Sequence, residues 1–515
     1  MSIDPRPPAP AFDRRDFLKK LTVASTCLGL GPAGPIAAGQ PADPIVNPPA
    51  KAPRDPFVGI QMGPHSLLDE GVDHVLDLIR DTAAVNAVLT YSHAYNGSVL
   101  KTDLADDHGV PPRDPHHRHL PVIWVKPHEQ FYRDTPLRHP TVTPDFEYAD
   151  HDLFAEMLAP ARRRGMKVYA RVLESSAMAG FVTHFDRVVT RDIDGRPTTT
   201  ACWNHPDYIA FWADTVEDLF RNYELDGLQW GAERMGPLIN VILPWNNDPP
   251  ACFCEHCCAS ARRHNIDPDR AREGFAGLYR YVQARIAGQP PPADGIFTGF
   301  LRVLFRYPEI LAWEYQYRLS REELCAAMYR RGKSVKPDAQ IGWHVDHEPS
   351  SWDLVYRAEM SYEEMAPHSD FIKFIAYHAV LGPRIREWYL ARFQKTILGE
   401  LPLADSLSFY YDVFGYHKST EPALDELGHR GFSPQYVYDE TKRSVASANG
   451  KTKIYTGIGF DVPHSAPDDP ATVEEATRKA FEAGADGIVV SRDYQEMHVP
   501  NLKAVGRAVR SLAGA

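Results

Sequence analysis

The sequence predicts a (β/α)8 barrel, an α/β fold, with a helical insertion after its fourth strand, and three observations carry that prediction. Eight short apolar runs alternate with stretches of helical periodicity between residues 57 and 512, the pattern of strands alternating with helices. No shorter repeat divides the 515 residues, and no glycine-rich phosphate turn follows the first run, which places an open doubly wound sheet behind the barrel. Three runs carry small or polar residues at alternate positions and end in a carboxylate: Gln229, Gly231 and Glu233; Gly342, His344 and Asp346; Gly457, Gly459 and Asp461. One parity of a barrel strand points inward, so these groups would converge on the C-terminal rim.

Taken in order, residues 1–38 resemble a twin-arginine export signal. Arg14 and Arg15 lead into Asp16-Phe17-Leu18-Lys19, a mildly apolar run broken by glycines and prolines follows, and Ala37-Ala38 offers a cleavage region. The resemblance implies a periplasmic or secreted chain. The breaks disfavour a stable membrane-spanning helix in the mature chain. Residues 39–56, rich in proline, read as a semi-rigid linker. Residues 57–515 form the barrel, with a cysteine-rich and helical insertion at about 235–335.

Within the barrel the strands are expected at 57–63, 87–93, 167–174, 227–233, 340–347, 370–378, 453–462 and 486–492. Helices are expected at 68–84, 150–164, 207–223, 386–398, 436–447, 472–483 and 501–512, with helical regions at 255–287 and 301–331 inside the insertion. A long Pro- and His-rich loop, 96–148, separates the second strand from the next helix. Loops of that length in a compact domain are usually functional.

Composition narrows the partners. A chain that is 43% hydrophobic and 24% charged is an ordinary globular protein, and a net charge of -12 argues against nucleic acid or an anionic membrane. A neutral substrate is easier to accommodate. The sequence does not specify the oligomeric state.

Seven cysteines are present, and Cys202, Cys252, Cys254, Cys257 and Cys258 fall in loops after the third and fourth strands. Adjacent βα loops are neighbours at the top of a barrel, so Cys202 can meet the C-x-C-x-x-C cluster. Four thiolates bind zinc tetrahedrally, and short spacings let one loop supply three of them. The expected ligands of a structural zinc are Cys202, Cys252, Cys254 and Cys257, with Cys258 spare. Disulfides are the alternative, but Cys252–Cys254 and Cys257–Cys258 are too close in sequence to bridge easily. Cys325 reads as a core thiol.

An acid ending the fourth strand, a C-x-C-x-x-C loop soon after and a lone upstream cysteine together resemble the catalytic domain of glycoside hydrolase family 42 β-galactosidases, and more closely the uncharacterised glycosyl hydrolases related to them. The resemblance implies a zinc on the four cysteines and a general acid/base at Glu233. This chain departs from the galactosidases at Ala232, where they place Asn, and at Asp461, where they use Glu.

Glycosidic cleavage needs two carboxyls flanking the bond. Glu233 with Asp461 is the first pairing, Asp346 the alternative second carboxylate, and Glu174 a further candidate. Asp226, at the start of its strand, belongs to the opposite rim. Trp124, Tyr91 and Tyr377 are candidate sugar-stacking rings, while Trp230 and Trp343 have the parity that faces helices. His93, Arg171, His344 and His378 are candidate hydroxyl or carboxylate contacts. Three functions follow: an exported glycoside hydrolase of retaining type, a silent carbohydrate-binding barrel using the same groove, or a metal-dependent hydrolase built on His344, Asp346 and His347. A carboxyl separation of about 5 Å supports retention, and about 6.5–9.5 Å supports inversion.

Overall fold

The computed structural model describes residues 55–95, 107–110, 122–141, 146, 148–346, 353–461 and 468–512. Its contacts divide the chain after Pro48, and every described residue belongs to the second unit, Pro49–Ala515. The expected leader at 1–38, His347 and much of the long loop lie outside the described residues.

The described residues form ten strands: β1 (Phe57–Met62), β2 (Ala87–Ala94), β3 (Lys167–Glu174), β4 (Val189–Arg191), β5 (Pro197–Ala201), β6 (Gly227–Ala232), β7 (Gln340–Val345), β8 (Phe371–Ile375), β9 (Lys453–Gly459) and β10 (Gly487–Ser491). Eight close a parallel barrel in the order β1-β10-β9-β8-β7-β6-β3-β2, so the chain is a (β/α)8 barrel. These are the eight strands the sequence predicts. The other two, β4 and β5, form an antiparallel hairpin after β3 that the sequence reading missed.

Strand register is pinned at the N-terminal rim. Asn86, Asp226, Asp370 and Asp486 each stand one residue before a barrel strand, and each accepts a backbone N–H from the neighbouring strand: Val58 at 2.9 Å, Val168 at 2.8 Å, Ile341 at 2.8 Å and Ile454 at 2.9 Å. Asp226 also pairs with Arg162, so its role is structural.

Helices begin where local chemistry satisfies their first N–H groups. Asp152, Asp267 and Asp469 cap with their carboxylates, and Pro206, Pro268, Pro434 and Pro470 open helices where no N–H is required. The helix expected at 68–84 is broken by Gly71, at φ 91°, into Pro64–Glu70 and Val72–Ala83. The insertion holds helices Glu255–Arg263, Pro268–Ile286, Ile296–Arg306 and Glu309–Val335, and Cys325 is buried in the last of these. A further helix, Leu403–Phe414, went unread in the sequence.

The floor of the lumen is aromatic. Phe57 stacks on Tyr455 at 4.2 Å and meets Tyr169 edge-on at 5.6 Å, while Phe371 lies 5.1 Å from Tyr455. Glycines make room for these rings. A Cβ on Gly227 would come within 2.4 Å of the Tyr169 ring, and one on Gly342 within 2.6 Å of Phe371. Outside the strands, Trp230 and Trp343 face the helices, as their parity predicts, and meet edge to face at 6.4 Å. Among the described residues no helix is long and apolar enough to cross a membrane.

Candidate functional site

Above the floor the lumen turns polar. Gln229 accepts a 2.7 Å hydrogen bond from Gln61 across the barrel, and Gly231 sits against His344, where a Cβ would come within 2.9 Å of the imidazole side chain. The next inward positions lie just past the strand ends. Glu233 follows β6 and Asp346 follows β7, and with His344 they place one ligand atom each within 4.8 Å of one another.

The two carboxyls differ in surroundings. Glu233 is open to water from the cleft but ringed by protein, and the like charge of Asp346, followed by burial, pushes its pKa up to about 7. Asp346 is buried and interacts electrostatically with Lys373 and Arg384. Lys373 is fully buried on β8, where its Nζ donates to Tyr377 Oη at 2.6 Å and lies 3.3 Å from His344 Nδ1. Burial, followed by repulsion from Arg171, holds that amine well below the usual lysine range.

Three cavities meet at Glu233. The first, of about 420 Å³, is lined by Arg171, His344, Asp346, Tyr377, Arg384 and Asp493 among others. The second, of about 360 Å³, lies between the β4–β5 hairpin and the 245–251 loop. The third, of about 320 Å³, is bounded by Tyr91, Tyr95 and Glu174. Each falls in the size range of small-molecule sites, about 300–1,000 Å³.

The structure brings together Glu233, Asp346, His344, Arg171, Tyr377 and, at the third cavity, Tyr91. Arg171 lies over the Tyr91 ring at 4.2 Å. Burial pushes the Tyr377 hydroxyl up to about 12.

Four other candidates lie elsewhere. Asp461 is 3% exposed and borders none of the three cavities. The chain leaves β9 after Gly459 and turns at Asp461, φ 56°, so the parity ends before the carboxylate. That carboxylate instead accepts from His498 N at 2.7 Å, Asn501 Nδ2 at 2.7 Å and Asp468 N at 3.0 Å, tying the β9 loop to the C-terminal helix. His93 is turned outward by a register shift between Tyr91 and His93, which pairs it with Val172 and packs it 4.3 Å from His139. Burial lowers its pKa to about 3. Trp124 is core, 5.4 Å from Tyr148. His378 is buried away from the cavities, and burial holds its pKa down at about 4. Glu174, by contrast, borders the third cavity but is committed to Trp203 Nε1 at 2.8 Å and Arg234 at 3.0 Å.

The sequence reading also missed residues. Lys373 has an inward parity inside an apolar run and was legible on that ground. Arg384, Arg492, Asp493, Trp245 and Trp388 also line the first cavity, but they arrive on loops and helices where no alternation marks them.

The thiols gather as expected. Cys202, Cys252, Cys254 and Cys257 place their sulfurs within 4.8 Å of one another, and Cys202 lies 3.4 Å from both Cys254 and Cys257. A tetrahedron of zinc–sulfur bonds of about 2.3 Å has edges of about 3.8 Å, so the donor set fits such an ion. Hydrogen bonds from neighbouring thiols, Cys202 first, push the Cys254 thiol down, and bonding to Cys252 first pushes Cys202 up. Asn204 donates to Cys257 Sγ at 3.3 Å and to Ser320 at 2.8 Å, anchoring the cluster to the long insertion helix. Cys258 points away, toward Phe253 O. An ion held there would cross-link the loops and supply no chemistry to the cleft.

The donors Glu233, His344 and Asp346 could also meet at a metal. Arg171 and Arg384 crowd the same space with positive charge, which weighs against a divalent cation.

No protein-family model matches the chain, and no curated protein matches it. Solved structures with similar backbones include the glycoside hydrolase domain of PgaB (BpsB) from Bordetella bronchiseptica, at 14% identity and a TM-score of 0.47 over 88% of this chain and 98% of that one. A β-galactosidase from the Antarctic haloarchaeon Halorubrum lacusprofundi aligns at 11% identity and 0.49 over 89% of this chain and 58% of its own. The catalytic domain of a β-amylase from Paenibacillus polymyxa aligns at 11% and 0.44, over 88% and 98%. At these identities the likeness concerns the barrel alone.

Proposed function

We propose that this protein is an exported glycoside hydrolase of retaining type, with Glu233 as general acid/base and Asp346 as nucleophile. The observation that carries the reading is the pair itself: two carboxyls with oxygens within 4.8 Å, one of them pushed up to about 7 by the other. Retaining enzymes hold their carboxyls about 5–5.5 Å apart, whereas inverting enzymes leave about 6.5–9.5 Å for a water.

Protonated Glu233 donates to the glycosidic oxygen as the bond to the anomeric carbon breaks, and ionised Asp346 attacks that carbon to form a glycosyl ester. Glu233, now a carboxylate, takes a proton from water, which attacks the same carbon and expels Asp346. Arg171, Tyr377 and His344 offer polar contacts to the ring. Support for export rests on the Arg14-Arg15 leader. The thiol cluster would hold a structural zinc.

The test is hydrolysis of a panel of aryl glycosides and oligosaccharides, with the anomer of the first product followed by NMR. Retained configuration, and activity lost in Glu233→Gln and Asp346→Asn, is the expected result. An inverted product, or unimpaired turnover by either variant, would overturn it.

A further inference from the structure

The three cavities share Glu233, but only the first contains Asp346. On the reading above, the nucleophile lies beneath the anomeric carbon and the acid beside the leaving oxygen. The ring attacked therefore sits in the first cavity, and the leaving portion extends past Glu233 into the second or the third.

The second has the chemistry to receive it. Its walls carry the hydroxyls of Thr190, Thr198 and Thr200, the amides of Asn240 and Asn246, and the indole of Trp245. The three hydroxyls hydrogen-bond to one another, Thr190 to Thr200 at 3.2 Å and Thr198 to Thr200 at 3.3 Å. A hydroxyl donates once and accepts twice, so the cluster keeps capacity for a ligand. Trp245 borders both the first and second cavities and is 51% exposed. The Arg392 guanidinium covers one face of its ring at 3.2 Å, and Trp388 meets it edge-on at 5.1 Å. An indole braced from one side with half its surface open is a stacking platform for a sugar face.

Charge separates the two cavities. The first concentrates Arg171, Arg384 and Arg492 with Asp346, Asp493 and Glu496. The second adds to Glu233 only Arg234, which is committed to Glu174 and to Ala201 O, and Asp248. The third cavity is poorer in uncommitted polar groups, because its Glu174 carboxylate already accepts from Trp203 and Arg234 and its Tyr95 hydroxyl is bonded to His139.

The wall is built rather than incidental. The hairpin pairs with the loop opposite through Ile193 N to Pro250 O at 3.1 Å and Phe253 N to Arg191 O at 2.7 Å.

We infer that the second cavity binds the leaving portion of the substrate as a neutral sugar chain, so that the protein acts on oligosaccharides rather than on glycosides of small aglycones. The inference rests on the glycosidase reading, and its test separates the two. Nitrophenyl glycosides of glucose, galactose, xylose and N-acetylglucosamine are compared with the matching oligosaccharides of increasing length. The expected result is a kcat/KM that rises with length. Trp245→Ala and Asn246→Ala then lower the oligosaccharide-to-aryl ratio by about tenfold or more, the worth of a lost stacking or hydrogen-bonding contact. A flat length dependence, or an equal loss on both substrates, overturns it. Calorimetric binding of the longest oligosaccharides to Glu233→Gln, with and without Asn246→Ala, covers the case in which nothing is hydrolysed. Absence of turnover then sinks the glycosidase reading, whereas a tenfold weakening by Asn246→Ala retains the second cavity as a sugar-chain site and an unchanged affinity removes it.

Discussion

The two ends of the barrel lumen are made by the same strands to opposite chemistry. At the N-terminal end Phe57, Tyr169, Phe371 and Tyr455 stack around glycines and close an apolar floor. Two residues further along β8 from Phe371 stands Lys373, and beyond it the strands deliver Arg171, His344, Glu233 and Asp346 to one cleft. The contrast teaches why the charges above behave as they do. Burial holds the Lys373 amine well below the usual lysine range, and the like charge of Asp346, followed by burial, raises Glu233 to about 7.

Breaking either end should have distinct effects. The largest is expected at the polar end, where Glu233→Gln and Asp346→Asn should each lower kcat by about 10³-fold, with far-UV circular dichroism unchanged. Asp461→Asn, off the cleft, should leave kcat within a few-fold while lowering Tm, since it weakens the hydrogen bonds at the β9 loop. A thousandfold loss in Asp461→Asn would reassign the second carboxylate. At the apolar end, Phe371→Ala should cost about 3–5 kcal/mol in denaturant unfolding, with kcat per folded molecule retained.

A smaller effect is expected with pH, in a direction fixed by the raised acids. Glu233, Asp493 and Asp353 have pKa values pushed up to about 7, Glu233 first by Asp346 and the other two first by burial. Folded protein therefore binds protons that unfolded chain has lost between the ordinary carboxylate range and about 7. The stability these groups contribute is full below that range and is lost as pH rises through about 7. Tm should fall between pH 5 and pH 8 on their account, and Glu233→Gln should flatten part of that slope. With Glu233 as the proposed acid, activity should fall over the same upper limb as that group loses its proton.

The periodic parts of the molecule were legible and the aperiodic parts were not. Alternation of side chains is local, so eight strands, and the convergence of Glu233, Asp346, His344 and Arg171, follow from short stretches of chain. Parity fails where the backbone departs from strand geometry. A register shift turns His93 outward, and a positive φ at Asp461 ends β9 before its carboxylate can reach the cleft. Trp124 lost its role to a distant partner, Tyr148, that no local pattern announces. Trp245 and Trp388 come together from loop and helix, far apart in sequence. The hairpin β4–β5 did carry a local signal, Asp194-Gly195 between short runs rich in threonine, and that turn chemistry was available to be read.

The thiol cluster draws Cys202 from before β6 and its other three members from after it. Cross-linked by an ion, the chain from Cys202 to Cys252 becomes a closed loop, and β6 with Glu233 lies inside that loop. A ring of covalent and coordinate bonds has fewer open states than a free segment, because the entropy of closing it has already been spent. The strand that carries Glu233 should then exchange its amide hydrogens only as fast as the barrel as a whole opens. Stripping the metal should create a separate, faster exchange class confined to residues 203–251, which hydrogen–deuterium exchange with mass spectrometry would resolve.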